Sequence, residues 1–402
     1  MASHRSAAML AISAALLALS VAETTGTDGK AVGTGGKTVV CYWQSWSHKR
    51  PAPHTYTVDD IPVHLCTHVI YSYAKLDNRT SSLYLDKTFD AGKDGYIRFL
   101  GLRKRNPKVK LLLALGDRYG SDNAAWQEAV HDPSRRYHVV TMVYRLLREY
   151  NFDGVHINWE IANGNEDSGT DNAFVKFAWQ IQRTFKRHTN FIMSCVIVLP
   201  KQKAVYSFLP ELVPYVDFFH ASVRSVSTGI IGTSNSTHRN KGALSTPLSH
   251  TDIRRSLQYL LGAGLPHEKL LLEVPFSGLE VRSSLEPSKE HNDENHDIIP
   301  YFKVCMMLRS GAPSKWDEQR LLSYLLLGDG QRVFYDDADS VRRKGAWCVP
   351  VFRAARRSKP AGYPWTRSPE NPRCPATPFS DVKTLHSCWT TGLQNLARRT
   401  TG

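Results

Sequence analysis

Short apolar or alternating runs recur along the chain at Thr38–Trp43, Leu65–Ala74, Val109–Gly116, Phe152–Glu160, Phe191–Leu199, Val216–Arg224, Lys269–Phe276 and Gly345–Phe352, each bounded by turn residues. Runs of this length between turn signals read as buried strands. Between them the period changes to that of a helix. Ser134–Tyr150 carries Val139, Val140, Met142, Val143, Leu146 and Leu147 on one broad face behind the capping start Asp132-Pro133, and Asn172–Arg187 and Thr251–Leu261 behave alike. Strands alternating with helices over roughly 350 residues predict an α/β fold, a (β/α)8 TIM barrel, with an open doubly wound sheet as the alternative.

The stretch from Ser277 to Lys344 is too long for one crossover. It holds a polar tract, Glu286–Asp297, then a helical Tyr301–Arg309 and a hairpin signal near Gly328–Tyr335, so an inserted α+β subdomain is expected between strands seven and eight. The expected organisation is therefore a signal peptide at 1–22, a flexible segment at 23–37 and the first part of the barrel at 38–276. The insertion follows at 277–344. Residues 345–402 then supply strand eight, a Pro-rich basic surface segment and a final helix, Asp381–Leu396.

Composition narrows the class. Of 402 residues, 42% are hydrophobic and 22% charged, which excludes disorder, collagen and coiled coil. Arg5, the apolar run Ala7–Val21 and the small-x-small site Ser20-Val21-Ala22 read as a secretory signal, too short to span a bilayer. No later segment reaches the length of a membrane span, so a secreted, extracellular protein is expected, with no membrane association after signal cleavage. The net charge of +14 gives either a solvated basic surface or attraction to polyanions such as sulfated glycans. No nucleic-acid partner is expected. Seven cysteines match no zinc spacing, and neither metal nor cofactor is expected. Cys195 and Cys348 lie inside strand-like runs as buried thiols, leaving Cys41, Cys66, Cys305, Cys374 and Cys388 to form disulfides with one left over. Asn78 and Asn235 head sequons for N-glycosylation.

The fourth strand carries the most specific chemistry. Alternation turns Val155, Ile157 and Trp159 one way and Gly154, His156, Asn158 and Glu160 the other, with Glu160 at the carboxyl end, where barrel enzymes keep their active sites. Asp153-Gly154-Val155-His156-Ile157-Asn158-Trp159-Glu160 resembles the family-18 glycoside hydrolase (chitinase) signature Asp-Gly-x-Asp-x-Asp-Trp-Glu, with two of its three aspartates replaced. The resemblance continues through Val39–Trp46, Leu65–Ala74, Lys315-Trp316-Asp317-Glu318 and Tyr335-Asp336-Asp337.

That resemblance implies a β-1,4 polymer of N-acetylglucosamine as substrate and a mechanism in which the sugar's own acetamide attacks the anomeric carbon. Glu160 matches the proton donor. Asn158 takes the place of the aspartate that orients the acetamide and balances its positive charge, and His156 that of the inner aspartate, where it reads as a hydrogen-bonded barrel-core histidine. Arg224 stands where the family has an acetamide-binding tyrosine. Asp117 and Arg118 replace glycine and tryptophan of Ser-x-Gly-Gly-Trp, Ser277-Gly278-Leu279 replaces Tyr-Gly-Arg, and Val349 replaces the stacking tryptophan. Trp46, Tyr73, Trp43 and Tyr42 correspond to a region holding more distant sugars, and Asp117 is a further substrate-contact candidate. The resemblance also implies disulfides Cys41–Cys66 and Cys305–Cys374.

Several functions fit these residues. One is a secreted, catalytically inactive chitinase-like protein binding chitin oligosaccharides or, through the basic run Arg353–Lys359, anionic glycans; a protein receptor is the other partner considered. The alternatives are a diverged chitinase with Glu160 as acid and Asp117 as a second carboxylate, and a growth-factor-like or immune ligand. In the inactive reading, Arg224 and Arg118 are expected to pair with Glu160 and Asp117 and plug the mouth.

Overall fold

The computed structural model describes residues 38–77, 79–116, 123–158, 170–186, 191–199, 208–222, 226–227, 245–281, 298–328 and 330–345. Seven of the expected strands are present: β1 Val40–Gln44, β2 His68–Leu76, β3 Lys110–Leu115, β4 Gly154–Ile157, β5 Ile192–Val198, β6 Phe218–Ser222 and β7 Leu270–Glu273. They pair in parallel in chain order. This is the curled parallel sheet of a (β/α)8 barrel. Gly345–Phe352, expected as strand eight, lies outside the described residues apart from Gly345, as does Asp381–Leu396.

Alternation sorts the side chains into two populations. Val69, Tyr71, Leu111, Leu113, Leu115, Val155, Ile157, Met193, Cys195, Ile197 and Phe219 face outward into one large core with the helices. Ile70, Leu112 and Ala114 face the axis, with Val40, Tyr42, Tyr73 and Ile192 against them. Gly154 lies close against the β5 backbone, since a Cβ there would meet the Ile192 carbonyl oxygen at 2.0 Å. Burial raises the Cys195 thiol far above the thiol range, consistent with an inert core cysteine.

The helices follow their capping signals. After α1, Asn123–His131, the chain enters α2, Pro133–Tyr150, where Asp132 accepts a hydrogen bond from the Arg135 N–H at 2.7 Å and Pro133 occupies the first turn. It stops at Asn151, whose left-handed conformation (φ 61°) returns its N–H to the Leu147 carbonyl. α3, Thr170–Lys186, and α4, His250–Gly262, complete the described layer helices of three turns or more, α4 capped by Ser249 on the Asp252 N–H. Two carboxylates pin strand starts: Asp153 accepts from the Leu111 N–H and from Arg103, both at 2.8 Å, and Asp217 accepts from the Met193 N–H at 2.8 Å. Asp153, the first residue of the signature motif, is therefore a structural clamp at the end of β4 opposite the expected chemistry.

After β7 comes a five-stranded antiparallel sheet. Its strands are β8 Ser277–Val281, β9 Ile298–Pro300, β10 Ser314–Asp317, β11 Leu322–Leu326 and β12 Arg332–Tyr335, in the order β9-β8-β12-β11-β10. α5, Tyr301–Arg309, buries Val304 and Cys305 against Ile299, Leu325, Val333 and Tyr335, a second small core. β11 and β12 form the hairpin expected near Gly328–Tyr335. Below it, Lys344 and Asp336 make a buried ion pair at 2.6 Å, and Ser340 donates to the same carboxylate oxygen at 2.7 Å.

The expected disulfide Cys41–Cys66 is present, joining β1 to the residue two before β2 across 25 positions. Replacing both cysteines by serine should cost about 3 kcal/mol, read as a lower denaturant midpoint. A pH effect follows from His68, which sits beside Phe218 and whose imidazole burial pulls down to about 4. Unfolded, this ring takes a proton near 6.5, so the unfolded chain binds more protons between those values and stability falls as pH drops from about 6.5 to 4, by on the order of 3 kcal/mol. In thermal melts across this window, His68→Gln should flatten the acid limb.

Candidate functional site

The axis of the barrel is built around four polar side chains from four strands. Tyr42 of β1 places its hydroxyl 2.7 Å from Nδ1 of His220 on β6 and 3.2 Å from Nε2 of His156 on β4. On its other side, His156 Nδ1 lies 2.9 Å from Ser194 Oγ, the residue opposite it in register on β5. The two imidazoles stand 4.6 Å apart between centroids, edge to face, and each also meets the Tyr42 ring edge-on. His156 is fully buried and His220 and Ser194 nearly so. One proton per group satisfies these three bonds in either direction. His156 is therefore a barrel-core histidine, held from both ring nitrogens.

Asn158 follows at the carboxyl end of β4. Its side-chain amide donates to the Gly116 carbonyl at 3.3 Å, and it is buried. Gly116 closes β3 in the left-handed region (φ 80°), a turn that directs its carbonyl toward the neighbouring strand. An amide at 158 thus satisfies an acceptor that a carboxylate would face oxygen to oxygen. The rest of the expected centre, Glu160, Asp117, Arg118, Arg224 and Val349, lies outside the described residues, and with it the expected arginine–carboxylate pairing. Cys374, Asn78 and Asn235 lie outside them too; Cys305 is buried in the second core.

The aromatic candidates separate. Trp46 lies in the short helix after β1 with 42% of its surface exposed, its ring edge-on to Tyr73 of β2 at 5.4 Å. Lys75 sets its ammonium 5.5 Å above Tyr73. Trp46 and Tyr73 therefore make an aromatic corner near the carboxyl ends of β1 and β2. Trp43 corrects the expectation: it is 1% exposed, stacked on Phe99 at 6.0 Å and edge-on to Tyr71 at 5.1 Å, inside the outer core. Strand parity is the reason, because β1 turns 42 to the axis and 43 to the helices. Parity also moves Tyr42 from the rim to the centre.

Two site residues are not among those the sequence singles out. One is His220, which shares a face with 222 and 224 on its strand. Glu273 ends β7 half-buried and in register with buried Ser222; since Leu270 and Leu272 pack outward, Glu273 points to the axis. A lone acid within the apolar run Leu270–Phe276 was the signal that could have found it.

Residues 38–349 match the family described as Glycosyl hydrolases family 18. The chain is 26% identical over 339 residues to an endochitinase of Manduca sexta, covering 77% of this chain and 60% of that protein. It is 24% identical over 334 residues to human chitinase-3-like protein 2, covering 76% of this chain and 81% of the relative. Among solved structures, the Ostrinia furnacalis Group IV chitinase superposes with a TM-score of 0.64 at 22% identity over 79% of this chain and 91% of the other. Human YKL-39, described as a pseudo-chitinase with retained chitooligosaccharide binding properties, superposes at 0.62 with 20% identity over 79% and 90%. The matched span takes in the signature on β4, all seven parallel strands and the antiparallel sheet, and with it the chain belongs to glycosyl hydrolase family 18.

Proposed function

We propose that this is an exported chitinase-like protein that binds N-acetylglucosamine oligosaccharides at the barrel mouth and does not cleave them. The observation that carries the reading is the chemistry along β4: His156 and Asn158 stand where the family signature has aspartates, and both are hydrogen-bonded to uncharged hydroxyl or carbonyl groups. An acetamide attacking its own anomeric carbon becomes a cation. The side chain two residues before Glu160 then offers it a dipole instead of a charge. Glu273 places one carboxyl group on the wall, but on β7, three strands and about 14 Å along the sheet from β4. With each preorganised group worth about 2.7–4 kcal/mol, losing two or three slows the reaction by many powers of ten.

Binding has a better-preserved basis. The Trp46–Tyr73 corner offers an exposed aromatic face of the kind that sugar rings stack on, and relatives of this fold hold chitooligosaccharides. The signal-like N-terminus and the Cys41–Cys66 disulfide support passage through an oxidising compartment. N-glycosylation at Asn78 and Asn235 belongs to the same reading. Among the described residues no helix is long and apolar enough to cross a membrane.

Incubated with chitohexaose, the purified protein should release no new reducing ends; turnover abolished by Glu160→Gln or Glu273→Gln overturns the proposal. Trp46→Ala should weaken chitohexaose binding about tenfold in calorimetry, equal to about 1.4 kcal/mol, with an unchanged melting temperature. Asn158→Asp alone should leave the protein inactive and destabilise it by about 1–3 kcal/mol at neutral pH, because a buried carboxylate then faces the Gly116 carbonyl. That loss should shrink below about pH 4, where the protonated acid donates as the amide does. A gain of hydrolysis in Asn158→Asp supports the charge argument and overturns the claim that several losses together silence the site.

A further inference from the structure

On α3 the exposed positions make one stripe. From Ala173 to Lys186 the exposed side chains are Lys176, Trp179, Arg183 and Lys186, at spacings of three, four and three. Phe174, Phe177, Ala178, Ile181 and Phe185 fill the opposite, buried face. A helix fixed by that apolar face alone has no use for a tryptophan on its outside, yet Trp179 keeps 43% of its surface exposed. The Arg183 guanidinium lies 5.1 Å over its ring. The ring and the planar cation thereby form one flat, positively charged platform.

The described surroundings leave this charge without an ion-pair partner. Among the described residues no carboxylate forms an ion pair with Lys176, Arg183 or Lys186, and none lies on α3 from 173 to 186. Lys186 feels Asp217 at the foot of the barrel, which leaves Lys176, Trp179 and Arg183 as the centre of the stripe. On the neighbouring helix, Arg136 donates to Gln180 at 3.1 Å and fastens α2 to α3, next to Tyr137, which is 68% exposed. The nearest acid of α1, Glu128, is occupied by Arg135 at 3.0 Å.

We propose that the outer face of α3 binds a sulfated or carboxylated polysaccharide, separately from the barrel mouth. Lys176 to Lys186 spans about 15 Å, the length of a short oligosaccharide rather than one sugar. The indole takes the carbon–hydrogen face of a pyranose, while the ammonium and guanidinium groups flanking it take the anionic substituents. A lipid surface fits less well, because a single aromatic on a stripe of cations gives little to insert between acyl chains. The choice of a glycan over a nucleic acid rests on the export part of the proposed function, which recovery of mature protein from culture medium tests by itself.

The test titrates the full-length mature protein at 0.15 M salt with a heparin octasaccharide, chitohexaose, a short DNA duplex and phosphatidylserine vesicles. In the double variant Lys176→Ser/Arg183→Ser, the heparin Kd should rise at least about tenfold and the slope of log Kd against log salt should fall by about 2. Trp179→Ala should weaken heparin several-fold with the salt slope unchanged, and Arg183→Lys should keep that slope. Chitohexaose affinity and the melting temperature should stay at wild-type values in all three. The proposal is overturned if the double variant binds heparin as wild type does. It is equally overturned if the loss appears only on replacing Arg353, Arg356 and Arg357, or if duplex or vesicles bind as tightly with the same dependence on Lys176 and Arg183.

Discussion

A closed parallel sheet sends every second side chain to one axis, and whatever arrives there must fill the space and satisfy its own polar atoms. That constraint organises the protein. Tyr42, His156, Ser194 and His220 come from strands far apart in sequence, yet they meet because their registers place them at compatible heights; the tyrosine hydroxyl joins the two imidazoles and Ser194 holds the far nitrogen of His156. The helices outside are attached through the other half of the same alternation, so a residue such as Trp43, one position from Tyr42, serves an unrelated core.

The neutral centre and the end of β4 are linked. A carboxylate at 156 would need a partner to share its charge, whereas His156 meets the Tyr42 hydroxyl, the Ser194 hydroxyl and the His220 ring with an imidazole that can donate from one nitrogen and accept at the other. Asn158 completes the change by donating to Gly116. Each replacement suits its neighbours. The departure from the family signature at 156 and 158 therefore reads as a repacked interior with its own polar logic. Glu273 adds a carboxyl group to the axial wall on β7, level with Ser222.

The two proposed ligand surfaces differ in physics. At the mouth, Trp46 and Tyr73 offer shape and apolar contact, which salt leaves nearly untouched. On α3, Lys176 and Arg183 offer charge around one indole, which salt weakens directly. A protein with a net charge of +14 has a diffuse attraction for any polyanion. The stripe concentrates part of it on a platform with a definite direction.

The sequence by itself determined the strand and helix periods, the capping of α2 at Asp132-Pro133, the insertion after β7 and the family signature, because these depend on neighbours within a few residues or on a contiguous motif. The role of His156 was also legible, since alternation alone turns it to the axis. Only the tertiary structure decided that Trp43 is core, that Tyr42 is central, that His220 closes the network and that Glu273 faces the axis. Those facts depend on which strands lie side by side and at what register, and a pairing set by the closure of the whole sheet leaves no trace in the residues of any one strand.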